Sequence, residues 1–207
     1  MVITADRPEI AATTDLLTRA RAGETSAFCG LAAEHEGRLL QQACGLTRDR
    51  IAAEDLVTET LVEAWRSLRR YDGACRFSTW LFSILLHRHQ KALRRARSRP
   101  VPLAALPSGE ADEWRAAQEN LPAAGPSPAD EAMRREAVGK LREAVAALPE
   151  KHQRVILLRF FEDASLPEIA AVLGCSVGTV KSRLHYALEK LREAQQGLNL
   201  SEFRGDT

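Results

Sequence analysis

A cluster of polar and basic side chains near the C-terminal end has the chemistry needed to recognise a nucleic acid. Its members carry hydroxyl, guanidinium, ammonium or imidazole groups: Ser176, Thr179, Lys181, Ser182, Arg183, His185 and Tyr186. Hydroxyl and guanidinium groups near a helix start bond base edges in the major groove, whereas lysine and histidine suit phosphate contacts. The alternative interpretation is a solvated face of an ordinary helical bundle.

A second cluster is basic and lies in the middle of the chain. Between His87 and Arg99 there are six cations and no acid. Four of them are spaced to line much of one helical face: Arg88, Lys91, Arg94 and Arg95. Such a face follows phosphates electrostatically, and the alternative is a patch that only keeps the surface solvated.

Aromatic and cationic residues surround a predicted turn just before the basic cluster. The turn contains Asp72 and Gly73, and around it lie Tyr71, Arg76, Phe77 and Trp80. Aromatic faces and guanidinium groups are residue types that stack on nucleic-acid bases and support their backbone. Some of the aromatic residues must instead pack in the core, and Trp80 suits either role.

A third cluster is acidic. Asp55 and Glu59 are one helical turn apart, so they present adjacent carboxylates either to a basic partner or only to solvent. The same segment has an apolar stripe at helical spacing, formed by Val57, Leu61, Ala64, Trp65 and Leu68. We therefore predict an amphipathic helix with an acidic outer face.

Helices must position the polar, basic and acidic clusters and flank the turn with the aromatic residues, because Ala, Leu, Glu and Arg dominate the segments that contain them. The predicted helices are Asp15 to Ala22, Thr25 to Leu46, Ala52 to Arg70, Arg76 to Arg97, Glu131 to Leu148, Lys151 to Phe161, Leu166 to Leu173 and Val177 to about Ala194. The stretch between Ser98 and Asp130 is rich in Pro, Ala and acid and is typical of a tether. The fold class predicted is all-α, with two small helical domains.

The last two predicted helices form a helix-turn-helix. Ser165 and Glu168 have capping-box spacing, Gly174 ends the short helix, and Ser176 is the predicted N-cap of the long one. The core-facing residues of the pair are Ile169, Ala170, Leu173, Val180, Leu184, Leu188 and Leu191. The second helix of such a motif enters the major groove, which leaves its polar face free to contact DNA.

Composition narrows the remaining function classes. The 207 residues are 45% hydrophobic with a net charge of +1, and no apolar run reaches the roughly 18 residues that a membrane span needs. The four cysteines are scattered without metal-ligand spacing, and no phosphate-binding loop or catalytic triad is present. We expect a cytoplasmic protein with no catalytic residues, metal, cofactor, small-molecule substrate or membrane insertion.

Two sets of motifs resemble the extracytoplasmic-function (ECF) sigma factors of the sigma-70 family. Glu54 to Thr60, Ala64-Trp65, Tyr71-Asp72 and Phe77 to Leu81 resemble sigma region 2 in order and spacing. Ala147 to Val155, Ile169-Ala170 and Gly178 to Leu184 resemble sigma region 4. The chain departs from the usual pattern at Leu86 to Gln90, where a stretch richer in Ala and Asn is expected.

The resemblance implies an organisation and a function. Its expected parts are an N-terminal tail (1–13), a region 2 domain (14–97), a linker (98–130), a region 4 domain (131–195) and a C-terminal tail (196–207). The implied function is to bind core RNA polymerase and direct it to promoters, with an anti-sigma protein as a regulatory partner. The rivals are a DNA-binding regulator that does not join polymerase and an enzyme. A response regulator shares a similar helix-turn-helix, but the first half lacks the strand–helix alternation of a receiver domain.

The resemblance also implies residue roles. Asp55, Glu59, Thr60 and Trp65 are expected to dock on the largest subunits of core polymerase, although Trp65 is also a candidate core residue. Region 2 is expected to recognise the −10 element through Tyr71, Asp72, Arg76, Phe77, Trp80, Arg88, Lys91, Arg94 and Arg95. The polar face of the helix-turn-helix is expected to recognise the −35 element.

Overall fold

The computed structural model describes residues 15–98 and 128–202, with side chains described for 15–96 and 136–194. The chain divides into two compact units, Met1–Ala111 and Asp112–Thr207. All regular elements in the described ranges are helical, which confirms the all-α prediction. The predicted N-terminal tail and most of the predicted linker lie outside the described residues.

Within residues 15–98, the first unit contains four α-helices. They are α1 (15–21), α2 (Thr25–Thr47), α3 (Arg50–Ser67) and α4 (Phe77–Ser98), with a 3₁₀ turn at Leu68–Arg70. Asp49 caps α3 by accepting a 2.9 Å hydrogen bond from the Ala52 N–H. Helices α2, α3 and α4 contact one another, and their fully buried side chains include Leu31, Phe82, Leu85 and Leu86. The bounds agree with the predicted helices to within a few residues.

The second unit also contains four helices in the described range. They are α5 (Pro128–Ala147), α6 (Glu150–Phe160), α7 (Leu166–Leu173) and α8 (Val177–Glu202). Helix α5 begins inside the predicted linker, because proline is well tolerated in the first helical turn. Helix α8 continues into the predicted C-terminal tail. Both predicted boundaries therefore cut into helices, and residues 203–207 of that tail lie outside the described part.

The helix-turn-helix is confirmed in detail. Ser165 and Glu168 form the capping box, with the Glu168 carboxylate accepting from the Ser165 N–H at 2.9 Å. Gly174 ends α7 in the left-handed region (φ 61°), where a side chain would be strained. Helix α8 then turns its apolar face inward: Val180 and Ala187 are fully buried, and Leu184, Leu188 and Leu191 pack against the cluster around Leu148 and Ile156.

Candidate nucleic-acid interface

The first turn of α8 is held by a local network of hydroxyl groups. Ser176 accepts a hydrogen bond from the Thr179 N–H at 3.1 Å, which confirms its N-cap role. The Ser176 and Thr179 side-chain oxygens lie 2.9 Å apart, and Ser182 donates to the Thr179 carbonyl at 3.0 Å. These bonds order the hydroxyl groups on the exposed face of the helix, and a hydroxyl that donates locally still has lone pairs for a second partner.

The longer side chains of α8 differ in exposure. Lys181 and His185 are exposed, and the His185 imidazole lies 3.5 Å from the Glu189 carboxylate. Arg183 is half-buried, with a guanidinium nitrogen 3.9 Å from the Cys175 sulfur. The face therefore offers the exposed ammonium group of Lys181 beside a guanidinium that packs partly against the turn of the motif.

Tyr186 stacks on a residue that the sequence did not single out. The Tyr186 and His152 rings have centroids 4.3 Å apart, and the Lys190 ammonium lies 6.0 Å from the Tyr186 ring centroid. His152 on α6 is buried, and burial lowers the pKa of His152, with Lys151 and Arg183 acting in the same direction. A neutral imidazole thus supports a tyrosine that is 39% exposed on the outer face.

The acidic cluster lies on α3 as predicted, but one of its residues points the other way. Asp55 and Glu59 are exposed, whereas Thr60 is fully buried and donates a 2.7 Å hydrogen bond to the Leu56 carbonyl. Thr60, which was predicted to contact polymerase with them, lies on the buried stripe between Leu56 and Ala64, so its side chain is not part of the exposed acidic face. Trp65 is half-buried, with its ring centroid 5.2 Å from that of Phe28.

Residues 71–76 connect the 3₁₀ segment to α4. They form a closed loop, so named because a hydrogen bond joins its two ends. The Tyr71 hydroxyl donates to the Cys75 carbonyl at 2.6 Å, and the Asp72 carboxylate accepts from the Ala74 N–H at 3.0 Å. Gly73 has a φ of 82°, which a residue with a side chain adopts only with strain. Asp72 and Arg76 are exposed on this loop.

The aromatic residues beside the loop form a cluster rather than an open surface. Tyr71 is 6% exposed and Phe77 is 5% exposed. The ring centroids of Tyr71 and Trp80 are 5.1 Å apart, those of Phe77 and Trp80 are 5.6 Å apart, and His35 of α2 lies 5.5 Å from Phe77. Tyr71 and Phe77, which were predicted to contact DNA, are thus covered by neighbouring side chains and belong to the core of this unit. Trp80 is half-buried at the edge of the cluster.

The basic residues of α4 fall into two groups. Arg94 and Arg95 are exposed and Lys91 is half-buried. Arg88 lies deeper and forms an ion pair with Glu59 of α3, with 2.9 Å between the guanidinium nitrogen and the carboxylate oxygen. The structure thus brings together one residue predicted to bind polymerase and one predicted to bind DNA.

The described residues also bear on metal binding, disulfide bonding and membrane spans. In residues 15–98 and 128–202, no group of three or more His, Cys, Asp or Glu side chains is arranged to hold a metal ion. Cys75 is buried and Cys29 is exposed, and neither forms a disulfide. No helix in these ranges combines the length and hydropathy required to cross a bilayer.

Family models match both units. A model described as Sigma-70 region 2 matches residues 31–99, and one described as Sigma-70, region 4 matches residues 144–193. The class defined by the fold and by these matches is that of the sigma factors, which direct RNA polymerase to promoters.

Similar proteins narrow the class. The RNA polymerase sigma-H factor of Pseudomonas aeruginosa is 30% identical over 185 residues, which cover 88% of this chain and 93% of the relative. The ECF RNA polymerase sigma factor SigL of Mycobacterium tuberculosis is 32% identical over 183 residues, covering 88% and 96%. The chain belongs to the ECF sigma factors of the sigma-70 family.

Solved structures share the fold. CnrH, in complex with the cytosolic domain of CnrY, is 27% identical with a TM-score of 0.59, and the match covers 90% of this chain and 98% of CnrH. The sigma factor RpoE from Bartonella quintana, in complex with the anti-sigma factor NepR, is 23% identical with a TM-score of 0.52. That match covers 81% of this chain and 97% of RpoE, and it supports the fold alone.

Proposed function

We propose that this sigma factor reads one promoter at two places, with the first unit at the −10 element and the second at the −35 element. The observation that carries the proposal is the separation of faces on α8. Val180 and Ala187 fill the core, while Lys181, Ser182 and His185 are exposed on the opposite side. A helix with this separation enters the major groove without exposing its core.

At the −35 element, the exposed face of α8 divides into base-reading and phosphate-binding residues. Thr179, Ser182, Arg183 and Tyr186 read base edges, since they follow the helix start, and Ser176 orders the first turn as its cap. Lys181 and His185 contact phosphates. The stack of Tyr186 on His152 fixes the direction in which the phenol points.

At the −10 element, the closed loop and α4 act together on the melted strand. Asp72 and Arg76 on the exposed loop contact the flipped base and its backbone, and Trp80 offers a stacking edge. The exposed cations Arg94 and Arg95 follow the phosphates, with Lys91 between them and the loop. Tyr71 and Phe77 support the loop from below rather than touching DNA.

The acidic face of α3 is the proposed docking surface for core polymerase. Asp55 and Glu59 are exposed one turn apart, so both carboxylates face a basic partner at once. Trp65 anchors this helix against Phe28 from its half-buried position. The surface is on a different helix from the DNA-binding cations, which allows polymerase and promoter to be bound together.

The proposal also covers the domain bounds, the cellular location and the regulation of the chain. The domains extend over about 14–97 and 131–195, with α5 and α8 reaching beyond the second, and the chain acts in the cytoplasm as a binding protein rather than an enzyme. An anti-sigma protein holds it inactive, as its resemblance to the ECF sigma factors implies. If so, a partner that co-purifies with the tagged chain abolishes promoter-directed transcription in vitro, and its removal restores it.

Reconstitution with core polymerase tests the function directly. Holoenzyme assembled from the full chain should give run-off transcripts from defined promoters in genomic DNA, and core enzyme alone should not. A regulator that does not join polymerase would instead fail to co-purify with the core enzyme and would give no new start sites. That result would reject the proposal.

Matched substitutions on α8 test the assignment of roles. Ser182→Ala should weaken binding mainly to the cognate −35 sequence, by about 0.5–1.5 kcal/mol, the contribution of one neutral hydrogen bond to a base. Lys181→Ala should weaken binding equally to all sequences and lower the salt slope by about one unit. Equal behaviour of the two variants would contradict the division of the face.

A further inference from the structure

We infer that Arg21, on the first helix of the chain, is a positioning residue for the loop that captures the −10 base. This inference rests on the proposed function of that loop. Arg21 is fifty residues away from the loop in sequence, and nothing in the region 2 motifs points to it.

Two contacts join Arg21 to the loop. A guanidinium N–H of Arg21 donates to the Tyr71 carbonyl, and the guanidinium carbon lies 5.6 Å from the centroid of the Tyr71 ring. A guanidinium group is planar and has several donors, so it can bond a carbonyl and interact with an aromatic face at once. Arg21 therefore fixes both the backbone and the ring of the residue at which the loop begins.

Tyr71 transmits this position to the far end of the loop. Its hydroxyl donates to the Cys75 carbonyl, four residues on, so the ring spans the base of the loop. Its ring also packs 5.1 Å from that of Trp80, on the first turn of α4. Displacing Tyr71 therefore moves both ends of the loop and the stacking edge together.

Helix α1 offers a matched control two residues earlier. Arg19 bonds Glu24 and Asp15 through its guanidinium, and these partners lie on or directly after α1 rather than on the loop. Arg19→Ala removes the same charge and a similar amount of side chain from the same helix. A loss seen only with Arg21→Ala thus cannot come from the general basicity or the local stability of α1.

The first measurement uses the free, full-length protein and does not depend on promoter binding. Amide hydrogen exchange of residues 71–76 should be at least several-fold faster in Arg21→Ala than in the wild type, and unchanged in Arg19→Ala. Arg21→Lys should be intermediate, because an ammonium keeps the charge but lacks the planar fork. Unchanged exchange in Arg21→Ala would overturn the inference.

The second measurement uses holoenzyme on a promoter mapped by run-off transcription. With 2-aminopurine at the flipped −10 position, the equilibrium constant for open-complex formation, read from the fluorescence, should fall about tenfold in Arg21→Ala, as expected for loss of a charge-assisted hydrogen bond. Affinity for core polymerase and the salt slope of DNA binding should stay the same. A salt slope lowered by about one unit would instead make Arg21 a phosphate contact and overturn the positioning role.

Loop variants distinguish failure of this inference from failure of the proposed function. If Asp72→Ala and Arg76→Ala impair opening but Arg21→Ala does not, the positioning role is wrong and the loop assignment stands. If neither loop variant impairs opening, the loop does not capture the base, and a role for Arg21 in that capture is rejected with it. The inference is supported if Arg21→Ala shows both faster exchange and impaired opening while Arg19→Ala shows neither.

Discussion

The ion pair between Glu59 and Arg88 joins the proposed polymerase-binding helix to the proposed DNA-binding helix, and its strength can be measured. The two groups are 2.9 Å apart, with 60% of the Glu59 side chain and 25% of the Arg88 side chain exposed. The Arg88 Nε is buried without a hydrogen-bond partner. The ion pair with Glu59 therefore offsets much of the free-energy cost of burying this cation. We expect the effects of Glu59→Gln and Arg88→Gln on the free energy of unfolding to be coupled.

The magnitude follows from the exposure of the pair. Fully exposed ion pairs contribute about 0.2–1 kcal/mol, and solvent around Glu59 keeps this pair within that range despite the deeper Arg88. We expect a coupling free energy of about 0.5–1 kcal/mol. The pair Arg50 and Glu54 on α3 is a matched control, since it has the same 2.9 Å separation but side chains that are 67% and 51% exposed. Its coupling should be about 0.3–0.5 kcal/mol.

The assay is a double-mutant cycle from urea unfolding of the full chain. The chain has three tryptophans, and in a Trp114→Phe background the fluorescence comes from Trp65 and Trp80, which both lie in the first unit. In 1 M salt the screening length is about 3 Å, so the control coupling should vanish while part of the Glu59 to Arg88 coupling remains. If the two couplings are equal and equally sensitive to salt, the pair does not join α3 to α4 as described.

Three further predictions concern residues whose environment the structure defines. Burial lowers the pKa of His152, so the folded chain binds fewer protons than the unfolded chain and the free energy of unfolding falls as pH drops below the ordinary value of 6.5 towards the lowered pKa. Urea unfolding of His152→Gln, followed by circular dichroism, should lose that part of the pH dependence, and an unaltered profile would contradict the assignment. Ser165→Ala should lower the free energy of unfolding by about 1 kcal/mol through loss of the cap, measured in the same way, whereas no change would argue against the capping box. Thr60→Val should leave affinity for core polymerase unchanged in a binding titration, because the Thr60 side chain is fully buried, and a large loss would restore the contact role that the structure argues against.

The parts of the fold that local signals determine were predictable from the sequence. The spacing of Ser165 and Glu168, the position of Gly174 and the apolar series through Val180 each depend on residues within a few positions, and all are confirmed. The burial of Thr60 also had a local signal, because Thr60 is four residues from both Leu56 and Ala64 on the buried stripe. Because threonine is polar, the apolar pattern of the helix does not mark position 60 as part of the core.

Contacts between distant segments were not predictable in the same way. Tyr71 and Phe77 have the residue types of a stacking platform, but packing around Trp80 and against His35 of α2 places them inside. The stack of His152 on Tyr186 likewise joins α6 to α8 and follows no sequence period. The predicted bounds missed the start of a helix at Pro128, because this proline follows the proline-rich tether, and the continuation of α8 beyond Ala194.

The separation of faces on α8 has a consequence for how such proteins diverge within a genome. Ser182 and Tyr186, which we propose read base edges, are exposed, and substitutions at exposed positions usually change stability by less than about 0.5 kcal/mol. Duplicated copies can therefore acquire new −35 preferences through point changes that leave folding intact. The proposed −10 loop has less freedom, because its support by Tyr71 and Phe77 belongs to the core, where most changes are destabilising. New promoter classes should thus arise first at the −35 end.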